Sequence, residues 1–93
     1  MDISLDSIVT VADDVVSCDL EDEAAILNLK DGIYYGLDPV GASIWKLLQK
    51  PVKVGEILET LLQEYEVGEE ECRSDLIELL EELKEKELVK INN

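Results

Sequence analysis

The sequence predicts a small α+β fold, extended segments first and three helices after them. Three observations predict it. β-Branched and alternating apolar runs, broken by acidic pairs, fill the chain up to residue 37. Asp38-Pro39 then gives a strong helix start, and beyond it apolar residues recur at intervals of three and four. At 93 residues the chain has the size of one domain. A domain this small buries only about 60–65% of its unfolded surface, so its core must be efficient. One domain over residues 1–93 is expected, with residues 1–7 as a flexible lead.

Residues 8–11 and 15–18 are short β-branched runs separated by Asp13 and Asp14, a turn-favouring pair. A second acidic break, residues 19–23, precedes an imperfect alternation over 24–29, in which Ala25, Leu27 and Leu29 alternate with Ile26 and Asn28. Lys30, Asp31 and Gly32 supply a hairpin signal, because Asp-Gly tolerates the positive φ angles of a type I′ turn. The next strand is Ile33–Leu37. Ile33, Tyr35 and Leu37 share its bulky face, which is expected to meet the helices, and Tyr34 and Gly36 share the other.

Asp38 can accept hydrogen bonds from the first free amides of a helix, and Pro39 at the first helical position loses none. This helix is expected to reach about Gln49, with Val40, Ile44, Leu47 and Leu48 as its core stripe and Gly41 and Ala42 allowing close approach. Trp45, flanking the stripe, reads as a plug between sheet and helices. Pro51 ends the helix. A second runs from residue 54 or 55 to 65, with Ile57, Leu58, Leu61, Leu62 and Tyr65 on one face. Its start has no Ser, Thr, Asp or Asn, so an irregular first turn is expected. The third helix has Gly68 as N-cap, Glu71 as reciprocal partner, Val67 as a staple on Cys72, and Glu69–Glu71 at the positive end of the dipole. Cys72, Leu76, Leu79, Leu80 and Leu83 form its stripe, Ile77 widens it, and Glu69–Arg73 and Glu82–Lys86 are supportive pairs. Leu88, Val89 and Ile91 read as an extended tail covering an end of the core.

The 23 acidic residues outnumber the 8 basic ones, for a net charge of -15, and the basic residues form no stripe, so no nucleic-acid partner is expected. The acidic excess reads first as a device for solubility, and second as steering toward a basic peptide or partner surface. Cys18 and Cys72 have no CxxC spacing and the chain has no histidine. They are expected as buried free thiols, with no zinc site. No window approaches the roughly 18 apolar residues of a membrane span, and the start, MDISLDSIV, lacks a signal-peptide pattern. A cytoplasmic monomer without a membrane partner is expected. The carboxylates at 69–71 and 78–87 read as a solvated helix face, no segment matches a calcium loop, and no nucleophile has a candidate base. No catalytic residue, metal or cofactor is expected, so the chain reads as a non-enzyme.

The run GIYYGLDPVGASIWKLL, followed by PVKVGEILETLLQEYEV and EEECRSDLIELLEEL, resembles the PqqD-like family over about residues 15–90. The resemblance implies a winged helix-turn-helix-like fold, with a three-stranded antiparallel sheet and three helices. It also implies a recognition element for the leader segment of a ribosomally made precursor peptide. In such modules the leader adds as a further strand to the third strand and presses side chains into a groove beside the third helix. Carried onto this chain, the receiving strand is Ile33, Tyr34, Tyr35, Gly36 and Leu37. The groove's other wall is Asp75, Leu76, Glu78, Leu79, Glu82, Leu83 and Lys86. Tyr35 is the leading groove side chain, Tyr34 is expected to cover the solvent side, and stacking of Trp45 on peptide is the alternative to its role as a plug.

The implied partners are the precursor peptide leader and a maturation enzyme, either the leader peptidase of a lasso-peptide pathway or a radical SAM enzyme of the pyrroloquinoline quinone type. The stretch PVKVGEILETLLQEYEVGEEEC looks closer to the lasso-associated members. Gly68, where Ser or Thr would be usual, and the very acidic surface are departures. A winged-helix DNA-binding regulator would share the outline, yet it needs a basic helix and the best-specified helix here is acidic. A structural subunit of a larger enzyme would need a partner patch but no groove.

Overall fold

The computed structural model describes residues 3–21 and 23–92. Its elements are β1 (Ile8–Val11), β2 (Val15–Leu20), β3 (Glu23–Asn28), β4 (Ile33–Leu37), α1 (Pro39–Leu47), β5 (Val52–Lys53), α2 (Val54–Glu64), α3 (Glu69–Glu85) and β6 (Val89–Asn92). The predicted α+β class holds: a three-stranded antiparallel sheet of order β2-β3-β4 accompanies three helices. A second antiparallel sheet, order β5-β1-β6, goes beyond the single sheet that the sequence leads one to expect. The segment expected as a covering tail is its strand β6, with Val89 opposite Val11 and Ile91 opposite Val9. Nothing local in 88–91 signals this, because the partner strand lies at the other end of the chain.

In the β2-β3-β4 sheet, Ser17, Ile26 and Tyr35 stand in one cross-strand row, and Val16, Leu27 and Tyr34 in the next. Ala24, Ile26 and Asn28 are buried, while Ala25 and Leu27 are half-exposed on the opposite face. The expected type I′ turn gives way to a longer loop over residues 29–32. That turn needs positive φ at both central residues, and here only Gly32 has it, at 71°. Gly32 N–H donates to Asn28 O at 2.8 Å, and Ile33 N–H to the Asp31 carboxylate at 2.9 Å, which closes the loop.

Asp38 caps α1 as expected, its Oδ1 accepting from Gly41 N–H at 2.8 Å. The helix stops at Leu47, and its buried face is Gly41, Ala42, Ile44 and Trp45. Val40, placed in the core by its spacing from Ile44, is instead 44% exposed. The helix packs on β3, β4 and α2 together, which rotates its buried arc onto Trp45. The tryptophan is a core plug, 2% exposed.

The start of α2 is regular despite lacking a side-chain cap. Backbone carbonyls substitute: Val54 N–H donates to Ser7 O at 3.0 Å and Gly55 N–H to Leu5 O at 2.9 Å. Ile3 belongs to the core and Ser4 N–H donates to Ser7 Oγ at 2.9 Å. Of the lead expected over residues 1–7, residues 3–7 make these contacts with the body, and residues 1 and 2 lie outside the described residues.

No side chain caps α3. Cys72, Leu76, Leu80 and Leu83 are buried on it, whereas Leu79 is half-exposed. Glu82 pairs with Lys86 at 3.5 Å. Among the described residues the other ion pair is Lys90 with Asp13 at 2.9 Å, so the Glu69–Arg73 pair does not form. Both cysteines are free, but only Cys72 is buried; Cys18 is exposed on the edge strand β2, contrary to expectation. No helix of the described residues is long and apolar enough to cross a membrane.

A cleft between β4 and α3

Strand β4 pairs with β3 along one edge, and among the described residues its other edge has no partner. Asp38 and Pro39 turn the chain directly from this strand into α1, so the strand's end and the first helical turn share a corner. Helix α3 faces that corner. Its buried stripe anchors it to the core, and Asp75, Leu79 and Glu82, at i, i+4 and i+7, share the flank beside the stripe.

Between these elements lies a cleft of about 510 Å³. Ile44, Leu61, Leu76 and Cys72 contribute buried apolar surface to it. Gly36, Leu37, Val40 and Gly41 line the sheet and α1 side, Tyr65 and Val67 the α2–α3 connection, and Glu71 and Leu79 the helix side. Three contacts fix the walls. Ser43 Oγ and Tyr65 Oη are 3.1 Å apart and join α1 to the end of α2. Asn28, 1% exposed, accepts from Lys30 N–H at 2.9 Å and donates to Lys86 O at 3.2 Å, joining the β3–β4 hairpin to the end of α3. Lys86 Nζ lies 5.5 Å from the centre of the Tyr35 ring, so the same two walls also meet through a cation–π contact.

Of the twelve residues expected at the site, the cleft brings together Gly36, Leu37, Asp75, Leu76, Leu79 and Glu82. Tyr35 and Lys86 touch each other but do not line it. Leu83 is core, 3% exposed, and so is withdrawn from the wall; Glu78 is exposed outside the cleft. Ile33 is half-exposed near the hairpin loop, and Tyr34, 71% exposed, covers the outer sheet face. Trp45 does not line the cleft. Val40, Tyr65 and Val67 do, although helical periodicity gave them scaffold roles. Their signal was positional: each is apolar and sits at a helix boundary, where the packing stripe begins or ends.

The cleft is acidic. Asp38, Glu71, Asp75 and Glu82 line it, and no cationic residue does among those described. Burial, and after it the charge of Asp75, pushes the Cys72 thiol up from its ordinary pKa, so the thiol stays protonated at neutral pH. Among the described residues no group of His, Cys, Asp and Glu side chains could hold a metal ion.

Residues 23–89 match the family model for coenzyme PQQ synthesis protein D (PqqD). The chain belongs to the PqqD family. The part matched by the PqqD model holds β3, β4 and all three helices, hence both walls of the cleft. Among solved structures, TbiB1 in complex with the TbiA(beta) leader peptide is similar at 38% identity and a TM-score of 0.84, over 87% of this chain and 94% of that one. Lasso peptide synthetase B1 complexed with the leader peptide shares the fold at 21% identity and a TM-score of 0.79, over 88% of this chain and 96% of that one. No curated protein sequence matches the chain.

Proposed function

We propose that this PqqD-family chain is a non-catalytic module that binds the leader of a ribosomally synthesised precursor peptide. The leader adds along the open edge of Ile33–Leu37 and places side chains in the cleft against Asp75, Leu79 and Glu82. The bound leader is then presented to a maturation enzyme, the leader peptidase of a lasso-peptide pathway. One observation carries this reading: a cleft with an apolar floor adjoins a strand edge that is unpaired among the described residues, in a chain 38% identical to TbiB1, whose structure is a leader-peptide complex. Strand addition suits the task. Main-chain hydrogen bonds supply sequence-tolerant affinity, and a cleft for alternate side chains supplies selectivity. Delivery to a radical SAM enzyme is the second reading, favoured by the match to a coenzyme PQQ synthesis protein.

The test is calorimetry with the leader of the precursor gene nearest to this one. Leu79→Glu places a charge on the half-exposed cleft wall and should weaken binding by about tenfold or more, near 1.4 kcal/mol. A folded Leu79→Glu protein that binds as tightly as the parent would show that the cleft is not the site. Copurification of the leader-bound protein with the peptidase or with the radical SAM enzyme separates the two delivery readings.

A further inference from the structure

The charge of the cleft is one-sided in a way that its apolar floor does not require. Asp38 is occupied as the cap of α1, and Glu82 has Lys86 at 3.5 Å. Glu71 and Asp75 have no cationic partner among the described residues. They stand one helical turn apart on α3, exposed, and both line the cleft. Like charges at this spacing cost a helix a few tenths of a kcal/mol. Lys86 is already engaged with Glu82 and the Tyr35 ring, so it does not neutralise them. Cys72, whose thiol is pushed up by burial and after it by the charge of Asp75, lines the same cleft.

We infer that the cleft selects an extended peptide in which a large apolar side chain is accompanied by Lys or Arg two residues away, the apolar group entering beside Val40 and Leu79 and the cation meeting Glu71 and Asp75. The inference rests on the peptide-binding reading and specifies its ligand. Residues i and i+2 of a strand share a side at about 6.6 Å, a spacing close to the rise of about 6 Å between helix positions i and i+4. A peptide strand can thus set a cation at Asp75, with Glu71 one turn beyond it, while its apolar neighbour two residues away reaches Leu79. The net charge of -15 adds long-range attraction for such a segment and raises its association rate.

The test is selection from a displayed library of random short peptides against the native protein, the double variant Glu71→Gln/Asp75→Asn, and Leu79→Glu, each checked for folding by its thermal melt. Both carboxylates are exposed, so the double variant should fold normally. Enriched peptides should carry Lys or Arg two residues from a large apolar residue. Their affinity should fall about tenfold on the double variant, with a flatter dependence on salt. Enrichment of neutral peptides that lose binding on Leu79→Glu but not on the double variant would overturn the charge selection and leave the cleft reading standing. Failure to enrich any peptide, or enrichment indifferent to both variants, would overturn both.

Discussion

Gly36 and Gly41 both line the cleft, but for different reasons. A Cβ on Gly41 would lie 3.2 Å from Asp38 Oδ1 and 3.3 Å from Leu37 Cβ, so its smallness serves the corner between β4 and α1. A Cβ on Gly36 would meet nothing within 4 Å. Gly36→Ala should therefore leave stability unchanged or raise it by about 0.4–1 kcal/mol through the unfolded chain. A fall in leader affinity at unchanged thermal stability would mark Gly36 as a place of close peptide approach. Asn28 poses the opposite case, a polar side chain whose value is internal. Asn28→Ala strands the Lys30 amide and the Lys86 carbonyl, and urea denaturation should register a loss of about 1–3 kcal/mol. The sequence could not reveal this residue, since its decisive partner is 58 positions away.

At the scale of elements, legibility follows how local the determinant is. The start of α1 was readable because Asp38, Pro39 and Gly41 carry it within one turn. The start of α2 was not, because its amides are satisfied by main-chain carbonyls of Leu5 and Ser7, which no side chain advertises. The end of α3 is similar. Leu88 N–H donates to Leu83 O at 2.9 Å and Glu87 N–H to Lys84 O at 3.0 Å, a Schellman closure. Its left-handed residue is Glu87, at φ 60°, where glycine is usual. Glu87→Gly should raise the unfolding free energy by about 0.5–1 kcal/mol, read from the denaturation midpoint at constant m-value. The cleft was half readable for the same reason: β4 and α3 were placed from their own patterns, whereas the contribution of the α2–α3 connection depends on how the helices pack.

For the whole molecule, residue patterning points to the class and composition to the charge, but neither points to the second sheet, whose strands β5, β1 and β6 are far apart in sequence. The charge of -15 acts on the entire surface, and among the described residues two ion pairs offset it. Added sodium chloride should therefore raise the melting temperature by screening self-repulsion; a melting temperature that falls between about 10 mM and 150 mM salt would contradict this. The pairing of Ile8 with Asn92 has another consequence. Strands β1 and β6, far apart in sequence, lie side by side in a sheet that does not contain β4. The two ends of the fold therefore open together: loss of β6 leaves β1 without its four-residue partner, while the β2-β3-β4 sheet that carries the cleft edge keeps its own pairing.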